Sequence, residues 1–246
     1  MTGGFYRSPM FLPRTSLLAL LVLVSGAQPG RIHAVETVEV APPVAHVDRF
    51  AKWESEIAAF EKADQAEAPA KGGIVFVGSS SIRLWKTLGH DFPNYPVLNR
   101  GFGGSEIVDS THFADRIIFP YEPRMVVLYA GGNDIHAGRS VDEVFENLKV
   151  FLASARAHLP KARIAYISIA GNPSRWAEAD KVKALNKRAE EFIQTQPNMK
   201  FINVFSEMLG ADGLPLPDIF VADKLHMNAE GYKIWTRVIA PLLKPE

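Results

Sequence analysis

The sequence predicts an α/β domain in which a parallel sheet of five strands is covered by helices on both faces, giving three layers. From residue 73 onward, short apolar and β-branched runs alternate with amphipathic segments of helical period, which is the order of a parallel sheet. The runs are apolar at nearly every position, as in strands that are buried on both faces. The chain has 246 residues, of which 47% are hydrophobic, and this suits one domain with a sizeable core.

The predicted helices and strands follow one another from residue 46 to the end of the chain. An amphipathic helix is predicted over 46–63, where large apolar side chains recur at spacings of three and four residues. Further helices are predicted over 140–158, over 175–195 and after Asn228, which stands where an N-cap would. The predicted strands are Ile74–Val77, Val97–Asn99, Met125–Tyr129, Ile164–Ile169 and Phe201–Val204.

Residues 1–27 have the composition of a secretory signal peptide. Arginines precede an unbroken apolar run, Leu17–Val24, and small residues follow it, which is the order of the three regions of such a peptide. The run is shorter than the roughly 20 apolar residues that a membrane-spanning helix needs. We therefore expect export to the periplasm or the extracellular space, without a stable membrane anchor. Cleavage fits equally well after Ala27 and after Ala34.

The mature chain is predicted to consist of an N-terminal arm, 28–46, and one folded domain, 47–246. Lys plus Arg equals Asp plus Glu at 27 each, so no basic excess points to nucleic acid. The absence of cysteine excludes disulfides, thiolate catalysis and cysteine-ligated metal. The histidines show no spacing typical of metal ligands, so no metal or other cofactor is expected. Nothing in the sequence determines the oligomeric state.

Four polar segments mark the predicted ends of strands or the start of the last helix. Ligands of such folds bind beyond the carboxyl ends of the strands, so these segments are the candidate site. Taken singly, each has a structural explanation, since glycines permit tight turns and Asn or Asp side chains cap backbone groups. The segments are GSSS (78–81), NRGFGGS (99–105), AGGND (130–134) and DKLHMN (223–228).

Together, in order and spacing, these segments resemble the SGNH hydrolases, also called GDSL-type esterases, over about residues 72–243. The resemblance implies that Ser80 is the nucleophile, that His226 is its base and that Asp223 orients the histidine. The chemistry agrees, because a serine hydroxyl is a weak nucleophile that needs an adjacent base. Imidazole titrates near neutrality, and a carboxylate three residues away can hold its tautomer.

The resemblance also implies an oxyanion hole formed by the N–H of Ser80, by Gly104 and by the side-chain amide of Asn133. In the flavodoxin-like strand order 2-1-3-4-5, strand one lies between strands two and three, so these donors would flank the serine. The first motif departs from the family pattern, because Gly78-Ser79-Ser80 stands where Gly-Asp-Ser is usual. The aspartate at that position is outside the triad, so we expect activity with the loss of a role in the loop.

The expected function is that of a secreted, cofactor-free serine esterase that works through an acyl-enzyme. No long insertion between the motifs offers a lid or an acyl tunnel, which favours short acyl groups over long ones. The export signal and the polar residues Asn172 and Arg175, which follow strand four, favour a carbohydrate on the alcohol side. Two alternatives are a lysophospholipase of the same family and a non-catalytic module that binds a carbohydrate or envelope ligand.

Overall fold

The structure, a computed structural model, describes residues 48–244. The predicted signal peptide (1–27) and arm (28–46) lie outside the described residues, so both stay predictions. Within the described part of the chain, no helix is long and apolar enough to cross a membrane.

A parallel sheet of five strands forms the centre of the domain. The order across the sheet is β2-β1-β3-β4-β5, and every neighbouring pair is parallel. The predicted fold class and strand order are therefore confirmed. The strands are β1 (Ile74–Gly78), β2 (Val97–Gly101), β3 (Met125–Tyr129), β4 (Arg163–Ile167) and β5 (Met199–Ile202).

Strands β4 and β5 end before the apolar runs that predicted them, at Ile167 and Ile202. Beyond these ends, the hydroxyl of Ser168 accepts two backbone N–H groups that follow β5, at 2.9 and 3.0 Å. The Ser168 hydroxyl accepts these N–H groups in place of a backbone carbonyl of β4. Backbone pairing between β4 and β5 therefore stops, although the following residues are still apolar. Strand β5 also begins earlier than predicted, because the exposed Lys200 near its start interrupts the apolar pattern at the sheet edge.

Nine α-helices are present in the described residues, and the four longest correspond to the predicted amphipathic segments. The first begins later than the predicted 46–63, because a 3₁₀ turn, Ala51–Trp53, precedes it. The predicted N-cap of the last helix is confirmed, since the Asn228 side chain accepts the N–H groups of Glu230 and Gly231. The helices are α1 (Glu54–Ala66), α2 (Ser80–Arg83), α3 (Leu88–Asp91), α4 (Ile107–His112), α5 (Ala114–Ile117), α6 (Gly132–His136), α7 (Val141–His158), α8 (Ala179–Gln194) and α9 (Ala229–Ile239).

The helix predicted over 175–195 begins only at Ala179. A 3₁₀ segment, Pro173–Glu178, precedes it, and within this segment Arg175 has non-helical dihedral angles of φ −121° and ψ 26°. The side-chain oxygen of Asn172 accepts the N–H of Arg175 at 2.9 Å. This cap closes a tight turn, so the chain kinks before α8 starts, and the kink lies beside the candidate site.

Side chains of the sheet alternate between two cores. In β1, Val75 and Val77 pack with α1, α4, α5, α7 and α8 on one face, whereas Ile74 and Phe76 pack with α2, α3 and α9 on the other. This alternation is the period of a strand buried on both sides. Because β1 lies between β2 and β3, the loops that follow these three strands meet at one edge of the sheet.

Candidate active site

Ser80 is the first residue of α2, immediately beyond the end of β1. The strand ends at Gly78 with φ +134°, and a Cβ there would stand 2.0 Å from the carbonyl oxygen of Tyr129, so only glycine fits. The N–H of Ser79 donates to the same carbonyl at 3.0 Å. Ser79 itself is buried, and its side chain makes no cap hydrogen bond to α2. The chain therefore leaves the sheet in a sharp turn, with Ser80 at the sheet edge.

Ser80, His226 and Asp223 are connected by hydrogen bonds. The Nε2 atom of His226 lies 2.9 Å from the Oγ atom of Ser80, and its Nδ1 atom lies 2.6 Å from Oδ2 of Asp223. Both bonds are satisfied when the histidine carries its hydrogen on Nδ1 and accepts the serine hydroxyl at Nε2. This is the geometry of a nucleophile, a base and an orienting acid.

Asp223 is held in its ionised form by the turn that it begins. Hydrogen bonds from the ring and the backbone N–H of His226, together with the N–H of Leu225, lower the pKa of Asp223 to about 2. Both N–H groups donate to Oδ1 at 2.9 Å, which leaves Oδ2 for the imidazole. The carboxylate thus remains charged at any pH at which the histidine can act as a base.

The turn that carries Asp223 and His226 is anchored on both sides. Phe220 and Met227 form an antiparallel bridge, and the N–H of Val221 donates to the carbonyl of His226 at 2.8 Å. Within the turn Lys224 has φ +57°, an uncommon conformation for a residue with a side chain. The short hairpin fixes the imidazole at the edge of the sheet, close to the serine.

The side chain of Asn133 lies in α6, which begins just after β3. Its Nδ2 atom donates to the carbonyl of Ser105 at 3.0 Å, and its Oδ1 atom accepts from Nη1 of Arg175 at 3.0 Å. Asn133 shares the wall of one cavity with Ser80 and His226. The structure therefore brings this predicted oxyanion donor to the serine.

Gly104 lies in the loop after β2, which is held to the β1 turn by the N–H of Phe102 donating to the carbonyl of Gly78 at 3.0 Å. Its φ of +68° suits glycine. It is exposed and does not belong to the wall of the cavity that holds Ser80. Its role as an oxyanion donor consequently stays a prediction.

Asp134, the neighbour of Asn133, is fully buried and joins the loops after β2 and β3. Its carboxyl oxygens accept the N–H of Ile107 at 3.2 and 3.3 Å. Burial raises the pKa of Asp134 to about 7; the hydrogen bond from Ile107 lowers it less than burial raises it, and the negative charges of Glu106 and Asp109 raise it further. This residue stabilises the start of α4 rather than contacting the cavity.

A comparison with known families adds to this geometry. The model of the GDSL-like Lipase/Acylhydrolase family matches residues 75–234, more than half of the chain. The chain belongs to this family. The matched range includes every predicted triad and oxyanion residue, so the resemblance to the SGNH hydrolases is confirmed and the protein is an acylhydrolase by family.

Solved structures share the fold of this acylhydrolase. A Streptococcus pneumonia protein named for platelet activating factor gives a TM-score of 0.70 at 19% identity, over 79% of this chain and 94% of its own. A GDSL-like lipase from Bacteroides thetaiotaomicron gives a TM-score of 0.63 at 22% identity, and the match covers 79% of this chain and 97% of the lipase. A carbohydrate esterase family 3 protein from Talaromyces cellulolyticus gives a TM-score of 0.57 at 18% identity, and the match covers 69% of this chain and 95% of the esterase. No curated protein matches the chain in sequence.

The cavity of the acylhydrolase beside Ser80 is small, about 50 Å³. Polar groups of Ser80, Asn133 and His226 line one part of it. No group of three or more His, Asp or Glu residues in the described chain is arranged to hold a metal ion. The remaining wall is mixed, and its apolar part includes Ile169, Ala170, Trp176, Val182, Phe205 and Met208.

Asn172 and Arg175, the predicted substrate contacts, both line this cavity. The oxygen of Asn172 is already bound to the N–H of Arg175. The guanidinium of Arg175 donates to the side chain of Asn133 at 3.0 Å and to the carbonyl of Gly132 at 3.3 Å. Their contact with a substrate stays a prediction, and the bond between Arg175 and Asn133 is an interaction that the sequence did not indicate.

Glu56 is a residue near the site that sequence reasoning missed. Its Oε2 atom accepts the N–H of Gly103 at 3.2 Å, next to Gly104. The Trp53 ring covers the same loop, and a Cβ on Gly104 would lie 3.6 Å from its Cη2 atom. The sequence around Glu56 predicts only an amphipathic helix, and no local signal relates it to a loop 47 residues later.

Proposed function

We propose that this acylhydrolase is a serine esterase that cleaves short-chain carboxylic esters through a covalent acyl-enzyme. The observation that carries the proposal is the hydrogen-bonded series from Ser80 Oγ to His226 Nε2 (2.9 Å) and from His226 Nδ1 to Asp223 (2.6 Å). A pure binding module has no need of an activated serine.

In the acylation step, Oγ of Ser80 attacks the ester carbonyl while Nε2 of His226 takes the hydroxyl proton. Asp223 holds the Nδ1–H bond and stabilises the imidazolium, and it stays ionised throughout because its pKa is about 2. The imidazolium then returns the proton to the departing alcohol oxygen. Water attacks the acyl-enzyme in the second half, with the same histidine as base.

Negative charge develops on the carbonyl oxygen in both halves of the reaction. The N–H of Ser80 is available for it, because the first N–H groups of a helix have no intrahelical acceptor. Asn133 supplies a side-chain N–H, and Gly104 is the third expected donor. One such donor contributes about 3–4 kcal/mol to the transition state.

The size of the cavity supports a short acyl group. The cavity beside Ser80 measures only about 50 Å³, which leaves little room for a long acyl chain. An acetyl group fits this space, whereas the methylenes of a long chain, each worth about 0.8 kcal/mol when buried, would remain in water.

The alcohol side is proposed to be a carbohydrate, reached after export of the protein. Support comes from the signal-like residues 1–27, from the polar Asn172 in the cavity wall and from the fold shared with a carbohydrate esterase family 3 protein. Mass spectrometry of the secreted or periplasmic protein should find an N-terminus near Gln28 or Val35. An exported protein that retains Met1 contradicts the export step.

Covalent labelling tests the proposed chemistry directly. A fluorophosphonate should add one phosphonyl group to the wild-type protein, and peptide mass spectrometry should locate it on Ser80. The variant Ser80→Ala should not react. An unlabelled wild-type protein with a native circular-dichroism spectrum supports the alternative, a non-catalytic binding module.

A series of nitrophenyl esters tests the acyl preference. The specificity constant kcat/KM should fall from two- and four-carbon acyl groups to ten-carbon ones, because the small cavity cannot cover additional methylenes. A rise with chain length contradicts the short-acyl proposal and favours the lysophospholipase alternative.

A further inference from the structure

Arg175 has an unusual set of partners for an arginine in a cavity wall. Its Nη1 atom donates to Oδ1 of Asn133 at 3.0 Å and to the carbonyl of Gly132 at 3.3 Å. Both acceptors are neutral, and within the described residues its guanidinium has no salt bridge to a carboxylate. The charged guanidinium thus donates to the side-chain oxygen of Asn133 and to the neighbouring backbone carbonyl, while the Glu178 carboxylate, in the same cavity wall, acts on it only electrostatically.

The Asn133 amide is held at both ends. Its oxygen accepts from the guanidinium, and its nitrogen donates to the carbonyl of Ser105 at 3.0 Å. If the amide were rotated by half a turn, its NH₂ group would face the N–H of Arg175 and its oxygen would face the carbonyl oxygen of Ser105. Neither pair could form a hydrogen bond. The bond to Arg175 therefore selects one orientation, and a charge-assisted bond does so more strongly than a neutral one.

Among residues 48–244, only one of the two N–H groups of this amide has a protein partner. A side-chain amide nitrogen carries two hydrogens, and Ser105 takes one of them. Asn133 lines the cavity beside Ser80, so the second N–H is available to an oxyanion there. Drawing electron density toward Oδ1 also makes that N–H a better donor, since bonds in series polarise one another.

Arg175 is itself fixed by the kinked segment before α8. The Asn172 side chain accepts its backbone N–H at 2.9 Å. The preceding residue, Ser174, donates its N–H to the carbonyl of Lys224 at 3.0 Å, inside the turn that carries Asp223 and His226. Burial lowers the pKa of the Arg175 guanidinium, yet an arginine remains charged at any pH of an assay. The kinked segment therefore contacts both Asn133 and the turn that carries Asp223 and His226.

We propose that Arg175 is a positioning residue for the reaction: it orients and polarises the Asn133 amide so that its free N–H meets the oxyanion. The inference rests on the proposed esterase function and deepens it. It differs from the substrate contact expected from the sequence, because Arg175 acts through Asn133 and not through the alcohol or acyl group.

A double-mutant cycle on nitrophenyl acetate hydrolysis tests this role. Asn133→Ala should lower kcat about 100-fold, the loss typical of one oxyanion donor. Arg175→Ala should lower kcat about tenfold with KM nearly unchanged, because the lost interaction strengthens only in the transition state. In the Asn133→Ala background the same change should cost less than about twofold, since the amide on which it acts is gone.

Conservative and matched variants separate positioning from folding. Arg175→Lys keeps a charged donor and should recover part of the kcat that Arg175→Met loses. Arg237→Ala removes an exposed arginine of α9 that pairs with Glu207 and should leave kcat unchanged. Thermal unfolding and circular dichroism identify any variant that fails to fold. If Arg175→Ala does not fold, Arg175→Met takes its place in the double-mutant cycle, with Arg175→Lys as the conservative control.

Two outcomes of the steady-state kinetics overturn the inference. One is a rise in KM at constant kcat, which would make Arg175 a substrate contact. The other is a loss from Arg175→Ala that persists undiminished without Asn133. Fluorophosphonate labelling keeps the two proposals apart: an unlabelled wild type rejects the esterase function, whereas equal labelling rates for wild type and Arg175→Ala reject only the positioning role.

Discussion

The two halves of the candidate active site are built differently. In the acid–base half, Asp223 and His226 are three residues apart and are held by bonds within one turn. In the oxyanion half, the loops after β2 and β3 are held by residues that are 47, 42 and 27 positions away: Glu56 on Gly103, Arg175 on Asn133, and Asp134 on Ile107. The first half is fixed by local geometry and the second by packing. Substitutions far from the chemistry should consequently disturb oxyanion stabilisation more than the acid–base pair.

The largest effect is expected at Ser80, where the two halves meet. Ser80→Ala should lower kcat by at least a thousandfold, roughly, because it removes the nucleophile. Ser79→Ala and Ser81→Ala should keep substantial activity, since the backbone bonds of Ser79 and Ser81 survive these changes. Hydrolysis of nitrophenyl acetate measures all three. Inactivity confined to Ser81→Ala would mean that the nucleophile is one residue later.

The acid–base half should act as a unit. His226→Ala and Asp223→Ala should each reduce kcat strongly, and the double variant should be hardly slower than His226→Ala, because an orienting acid has no function without its base. Since the pKa of Asp223 is about 2, this non-additivity should be the same across an assay range of about pH 6–9. Multiplying effects in the double variant would show that the two residues work independently.

The oxyanion half should respond to Glu56, which lies outside the cavity. Glu56→Ala removes the acceptor of the Gly103 N–H and should lower kcat by roughly threefold to tenfold, less than the loss of a donor, because the loop loosens but remains. Glu56→Gln keeps an acceptor oxygen and serves as the matched control. Steady-state kinetics with unchanged KM would agree with this role. If Glu56→Gln and Glu56→Ala both keep the wild-type kcat, the hydrogen bond from Gly103 to Glu56 has no effect on catalysis.

The smallest effect on activity is expected at Asp134, where stability should change instead. Its folded pKa of about 7 lies above the unfolded value of about 4. The stabilisation from its protonated form is therefore complete below about pH 4 and is lost as pH rises toward 7. Asp134→Asn removes this titration, so the Tm of the wild type should fall by several degrees relative to the variant between about pH 5 and pH 8. Parallel Tm curves would contradict a raised pKa.

Much of the fold followed from local patterns in the chain. Apolar runs predicted five buried strands, and the order across the sheet agreed with the resemblance to the SGNH hydrolases. Asn228 was recognisable as a cap because its partners lie within three residues. The errors are at boundaries such as the start of α8 at Ala179, where the cap from Asn172 to Arg175 overrides a helical pattern.

The sequence by itself determined the fold class and the family and predicted the acid–base pair, because period, motif order and a spacing of three residues are properties of the chain. Only the tertiary structure decided what holds the oxyanion side. Arg175 meets Asn133, and Glu56 meets Gly103, across 42 and 47 residues. Such contacts depend on how strands are ordered and how helices pack on the sheet, and no local preference of either partner encodes the distance between them.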